Sequence, residues 1–229
     1  MKNKKVCIVT GALGGLGRIV IEHLTEDQLT VIGIDHGSPG NTPVDRSWTY
    51  IQTDVLSEDS VHRTYEKVIS EFARIDVLVN LVGGIYPWSN IEDVSLENWE
   101  KTIALNLRSV FLMCRGAIRQ MKKQNGGKII NVGAQAGVRG ASQAGPYGSA
   151  KSAVINLSET IAAEGKSCNI QCNVIIPSII DTAANRKSMP DATFSDWVQP
   201  AEIANLIGFL ASDKSSGVTG SVIQAPGRV

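Results

Sequence analysis

The sequence predicts a single α/β domain, a doubly wound parallel sheet of about seven strands with helices on both faces. Three observations predict it. Short apolar runs alternate with segments of helical periodicity along the whole chain. The apolar runs are continuous, as expected for strands buried on both faces. A glycine cluster separates the first run from the first helix. With 229 residues, 43% hydrophobic and 19% charged, the chain is long enough for a sizeable core and ordinary for a globular fold.

Val6 to Val9 reads as a strand that stops at Thr10-Gly11, and Gly15 to Leu24 as a helix. Leu29 to Ile34 and Trp48 to Thr53 are the second and third strands. Ser57 caps a helix to about Ala73, with Glu58 and Asp59 in the first turn, where the helix dipole favours anions. Ile75 to Leu81 is the fourth strand. Asn98 to Gln124 reads as one long helix, because Leu107, Val110, Phe111, Cys114, Ile118 and Met121 recur at helical spacing. Lys128 to Val132 is the fifth strand. Pro146 opens a helix to about Glu164, and Ile170 to Ile176 is the sixth strand. Pro200 to Ala211 is a helix and Ser221 to Gln224 the last strand. Thr182 to Val198 shows neither period and is too long for a simple connection, which marks a lid or binding loop. No repeat, low-complexity tract or linker appears, so residues 1–229 read as one domain, with 182–198 as its substrate loop.

Composition excludes several functions. Lys+Arg and Asp+Glu are both 22, so there is no basic excess for nucleic acid. No run approaches a membrane span. The apolar stretch after Lys2–Lys5 ends at Val9, too short for a signal core. Cys7, Cys114, Cys168 and Cys172 form no Cys-x-x-Cys pair, and Cys7 and Cys114 read as core thiols; a reducing, cytoplasmic setting fits. His23, His36 and His62 are scattered, so no metal site is expected. Neither a Gly-x-Ser-x-Gly elbow nor a Gly-x-x-x-x-Gly-Lys-Ser/Thr loop is present.

Two motifs carry chemistry. Thr10-Gly11-Ala12-Leu13-Gly14-Gly15-Leu16-Gly17 lies between the first strand and first helix. Glycines there let backbone amides approach a pyrophosphate, and the helix N-terminus supplies partial positive charge. Asp35 ends the second strand, where a carboxylate accepts from ribose hydroxyls and repels a 2′-phosphate, so NAD(H) is expected over NADP(H). Further on, Tyr147 and Lys151 stand four apart on one helix face. A nearby ammonium favours tyrosinate, and the spacing predicts a phenol acidified by its lysine.

These motifs occur in order with Asn80 in Asp76-Val77-Leu78-Val79-Asn80-Leu81-Val82-Gly83, then Asn106, Pro177 and Thr182. The whole set resembles the short-chain dehydrogenase/reductase family, a Rossmann-type fold, over nearly the full chain. The resemblance implies Tyr147 as general acid/base, Lys151 as ribose ligand and tuner of the phenol, and Asn106 as holder of a water relay. It places Gly11, Leu13, Gly15, Leu16, Gly17, Gly83 and Pro177 along the cofactor. It puts Asp54 and Val55 at the adenine, Asn80 at the adenosine ribose, and Ile180 and Thr182 at the nicotinamide carboxamide. Residue by residue, the plainer alternatives are a strand-end cap for Asn80, a solvated turn for Asp54 and core packing for Ile180. The resemblance also implies a homodimer or homotetramer built on Asn98–Gln124 and Pro146–Glu164.

The family places a catalytic serine thirteen residues before the tyrosine; here that position is Ala134, which has no donor for a substrate carbonyl. Gln135 and Ser142 are the nearby polar groups. The dihydropteridine reductase branch also lacks this serine. The resemblance to it extends to Asn185-Arg186-Lys187-Ser188-Met189-Pro190, Phe194-Ser195 and Trp197, and to Gly83-Gly84 followed by Tyr86 and Trp88. It implies a small conjugated acceptor, with Ala134, Gln135, Tyr147, Trp88, Met189 and Trp197 around it. An ordinary ketone or alcohol substrate is the alternative. A non-catalytic NAD(H)-binding sensor or scaffold is the reading from another class that Ala134 leaves open.

Overall fold

The computed structural model describes residues 4–39, 47–85 and 87–228. Seven parallel strands form one sheet in the order β3-β2-β1-β4-β5-β6-β7. They are β1 (Val6–Thr10), β2 (Thr30–Asp35), β3 (Thr49–Gln52), β4 (Val77–Asn80), β5 (Gly127–Val132), β6 (Ile170–Pro177) and β7 (Val222–Ala225). Side chains alternate between two cores. Val6 and Ile8 of β1 join one cluster, Cys7 and Val9 the other. That double burial is why the strands read as unbroken apolar runs.

Helices α2 (Glu58–Phe72), α3 (Leu96–Ile103), α4 (Ser109–Lys123) and α6 (Gly145–Gly165) lie on one side, and α1 (Gly15–Glu26) and α8 (Pro200–Ala211) on the other. Short helices α5 (Gln135–Val138) and α7 (Ala183–Ser188) border the carboxyl edge of the sheet. Ser57 caps α2 by accepting from the Ser60 N–H at 3.3 Å, and Pro146 sits in the first turn of α6. Both follow from local residue chemistry.

Three expectations change. The long helix 98–124 begins at Leu96 behind the Ser95 cap, and Ala104–Arg108 is a π-helical turn that divides α3 from α4. The segment 182–198 is not plain loop: it holds α7, capped by Thr182, and a 3-10 turn at Phe194–Asp196. Helix α5 was not anticipated, because its four residues, Gln135-Ala136-Gly137-Val138, carry no helical period. No helix among the described residues is long and apolar enough to cross a membrane. Nor, among them, do His, Cys, Asp or Glu side chains gather as a metal site.

Candidate active site

Strand order reverses direction between β1 and β4, so the chain leaves these two carboxyl ends toward opposite sides and opens a crevice. Gly11 turns out of β1 with φ +71, a conformation that suits glycine. A Cβ on Gly17 would lie 2.1 Å from the Gly11 carbonyl oxygen. Helix α1 therefore starts hard against the turn only because residue 17 has no side chain. Its N-cap, Gly14, makes no side-chain cap, and no acid occupies the first turn. The leading N–H groups and the dipole are thus left to an anion, and the cradle fits a dinucleotide pyrophosphate.

Asp35, at the end of β2, accepts from the Leu13 N–H at 3.1 Å and the His36 N–H at 2.8 Å. The carboxylate ties the glycine turn to β2 and retains lone pairs for further donors. Asp54 is exposed and accepts from the Leu56 N–H at 2.9 Å, while Val55 is buried in the core. Thr182, the α7 cap, rests on the cradle. A Cβ on Gly15 would meet Thr182 Cβ and Cγ2 at 3.3 Å. Ile180 pairs with Val198 as an isolated bridge, and its carbonyl accepts from the Thr182 N–H at 2.8 Å and from Asn185 Nδ2 at 2.7 Å. Pro177 is buried at the end of β6.

Asn80 turns inward. Its Nδ2 donates to Asn131 Oδ1 at 2.8 Å, and Asn131 Nδ2 donates to Ser158 Oγ at 2.9 Å. A buried amide must find partners, and these lie across β5 and α6. The side chain expected at the adenosine ribose is therefore committed to the interior. Thr10 Oγ1 closes the strand end instead, accepting from the Leu81 and Val82 N–H groups at 2.9 and 3.2 Å.

The second motif converges on Gly83. A Cβ there would lie 2.8 Å from Asn106 Oδ1 and 3.1 Å from Lys151 Nζ. Asn106, fully buried, comes from the π-helical turn. Its Oδ1 accepts from the Gly84 N–H at 3.1 Å, and its Nδ2 donates to the Gly84 and Thr102 carbonyls at 2.7 and 2.9 Å. Lys151, 3% exposed, donates to the Val132 carbonyl at 2.8 Å and stands 5.7 Å from the Tyr147 ring centroid. Burial pushes the Tyr147 phenol up to about 12 and the Lys151 ammonium down to about 8. Set against the acidification expected from the lysine, the largest influence on both groups is loss of solvent, which disfavours charge on either.

Around these groups, α5 lies directly on α6. A Cβ on Gly137 would meet the Lys151 carbonyl carbon at 2.7 Å, and one on Gly148 the Ala136 carbonyl oxygen at 2.7 Å. Ala134 is the cap residue of α5 and Gln135 its first residue. Gln135 Nε2 donates to Gln224 Oε1 at 2.9 Å. Trp88 is 57% exposed on the segment after β4, which is tied to the α5–α6 connection by the Ser89 N–H donating to the Gln143 carbonyl at 3.2 Å. Met189 ends α7, half-buried. Trp197 corrects an expectation: at 3% exposure, with its ring 4.9 Å from Phe194, it packs beneath the segment rather than opening to an acceptor. Tyr86 lies outside the described residues.

Sequence reasoning missed the Val132 carbonyl, since no side-chain letter marks a backbone acceptor. It missed Gln224 and the inward Asn131 because their partners lie 89 and 51 residues away. It also missed the ion pair in which Arg186 clasps Asp181 at 2.5 and 2.7 Å and stacks 4.8 Å over Phe194, bracing α7.

The family model described as short chain dehydrogenase matches residues 5–193. A 3-oxoacyl-[acyl-carrier-protein] reductase of Thermotoga maritima is 32% identical over 97% of this chain and 96% of its own length. A 3beta-hydroxysteroid dehydrogenase of Mediterraneibacter gnavus is 26% identical over 98% of this chain and 94% of its own. The crystal structure of an NAD+-bound xylitol dehydrogenase superposes with a TM-score of 0.92 at 26% identity, covering 99% of this chain and 100% of that one.

Proposed function

This chain belongs to the short-chain dehydrogenase family and is an oxidoreductase; on that premise we propose that it reduces a small, conjugated acceptor with NADH. The observation that carries the reading is the convergence of Lys151 Nζ and Asn106 Oδ1 under Gly83, beside Tyr147.

The glycine cradle and the bare α1 terminus bind the pyrophosphate. Asp35 accepts from the adenosine ribose hydroxyls and disfavours a 2′-phosphate, which supports NAD(H) over NADP(H). Gly83 leaves room above Lys151 for the nicotinamide ribose. Bound NADH supplies the hydride. Tyr147 Oη holds the proton that the acceptor takes up as the hydride arrives, and a neutral phenol suits donation in the reductive direction. Lys151 keeps its charge below about pH 8 and stabilises negative charge developing on the phenol oxygen. Asn106 fixes the Gly84 backbone, which would help hold a bound nicotinamide. Residues 182–198 cover the acceptor, with Thr182 already against Gly15.

Ala134 supports the choice of acceptor. A conjugated imine such as a quinonoid dihydropterin needs less carbonyl polarisation than a ketone does, so a methyl at that position is tolerable. The 32% identity to a 3-oxoacyl reductase favours a second reading, an ordinary ketone. A dimer or tetramer through α3–α4 and α6 is supported by Phe111, exposed on α4 under the Arg115 guanidinium.

The test is NADH oxidation with a quinonoid dihydropterin and with a ketone panel, by wild type and Tyr147→Phe. The variant is expected to lose roughly 10²–10⁴-fold in kcat. Retained activity overturns Tyr147 as proton donor. Turnover of ketones alone transfers the assignment to the second reading.

A further inference from the structure

Gln135 and Gln224 meet at the carboxyl edge of the sheet, and the proton-handling groups above do not use them. Gln135 opens α5 immediately after Ala134; Gln224 stands on β7 opposite Ile176 of β6. Their 2.9 Å bond spans the end of β6, which separates β5 from β7. Both residues are exposed. Ordering two rotamer-rich side chains costs about what an exposed neutral hydrogen bond returns, so the pair contributes little stability. What it does is fix the direction of one carboxamide.

That direction matters because of where Gln135 lies. Three residues earlier, the Val132 carbonyl holds Lys151 Nζ at 2.8 Å, and Gly137 presses α5 onto the Lys151 backbone. Ala134, between them, offers only a methyl group. With one N–H given to Gln224, Gln135 retains a second N–H and its Oε1, and Gln224 retains both hydrogens on Nε2.

We propose that Gln224 is a positioning residue that holds the Gln135 carboxamide as the polar rim of the acceptor pocket. The pair selects flat acceptors that carry a donor and an acceptor side by side on one edge, as a lactam does. This deepens the function proposed above and rests on it. A lactam N–H meets Gln135 Oε1 while its carbonyl meets a carboxamide N–H, giving two bonds in one plane. A ketone without a neighbouring N–H takes one at most, and a carboxamide free to rotate rarely presents both groups together.

The experiment uses the full-length enzyme with NADH and two acceptors: a quinonoid dihydropterin, which has the lactam edge, and phenanthrenequinone, which has none. Gln224→Leu is expected to raise KM for the dihydropterin about five- to tenfold, with kcat within about twofold, and to leave the quinone untouched. Gln224→Glu keeps an oxygen for the Gln135 N–H and should restore most of the loss. Gln135→Leu/Gln224→Leu should be no worse than Gln135→Leu. Equal loss on both acceptors, a loss confined to kcat, or additivity in the double variant overturns the proposal. Wild-type turnover of the quinone but not the dihydropterin also overturns it, while the oxidoreductase assignment stands. If wild type reduces neither, the proposed function fails, and the pair is judged by calorimetric titration of biopterin into the NAD+-saturated proteins. Tighter binding to wild type than to Gln224→Leu then supports the pair; equal or absent binding overturns it.

Discussion

Lys151 carries a titrating ammonium into the interior, so replacing it by methionine should change how stability depends on pH. Burial lowers its pKa from the ordinary 10.5 to about 8. Below the lower value both folded and unfolded chains hold the proton, and the cost of burying charge is fully present. As pH rises past about 8 the folded protein sheds the proton while the unfolded chain keeps it to 10.5. The cost therefore fades with rising pH, and wild type gains on Lys151→Met. The full span corresponds to ~3 kcal/mol; between about pH 7 and about pH 9.5 the gain is roughly 2 kcal/mol. Urea unfolding of both proteins at those two pH values, followed by circular dichroism at fixed protein concentration, reads it as a difference of differences. Any constant contribution from the lost bond to the Val132 carbonyl cancels. A gap that stays flat, or that moves in favour of the variant as pH rises, would show that Lys151 is not held in a desolvated pocket and would refute the electrostatic account of the site.

Gly83→Ala sets a methyl group 2.8 Å from Asn106 Oδ1 and 3.1 Å from Lys151 Nζ, and misplacing them is expected to lower kcat/KM roughly 10–100-fold without unfolding the protein. Asn131→Leu removes the acceptor for Asn80 and the donor to Ser158; about 2–4 kcal/mol of stability should be lost by urea titration, and a loss below about 1 kcal/mol would show the buried network to be dispensable. Asp35→Ala should raise KM for NADH about tenfold while leaving NADPH unchanged or improved. Equal losses with both cofactors would instead mean that Asp35 serves only to anchor Leu13 and His36.

What was legible in the sequence is what depends on near neighbours or on unbroken patterns. Strands buried on both faces announce themselves as apolar runs, and the Ser57 cap and Pro146 start need only a few residues around them. The Tyr147–Lys151 spacing and the glycine cradle were readable for the same reason. The π-helical turn was not, because helical periodicity continues on either side and the interruption is a matter of one residue in register. The inward turn of the Asn80 side chain was not legible because its partner Asn131 is adjacent only after β4 and β5 pair in register. The burial of Tyr147 and Lys151 was not legible, because spacing reveals a neighbouring charge but not how completely solvent is removed from both groups.

Deleting any one residue between Ala104 and Arg108 would let α3 and α4 run together as a regular rod. It would also turn the far half by about 100° relative to the near half. As it stands, α3 packs against α6 while Val110, Met113 and Ala117 of α4 face the sheet. The surplus residue is what allows one continuous rod to look in two directions and to aim Asn106 at Gly84 from the bend. A shortened homologue could keep either half seated, but not both, and the Gly84 backbone that Asn106 holds would be the first thing to drift.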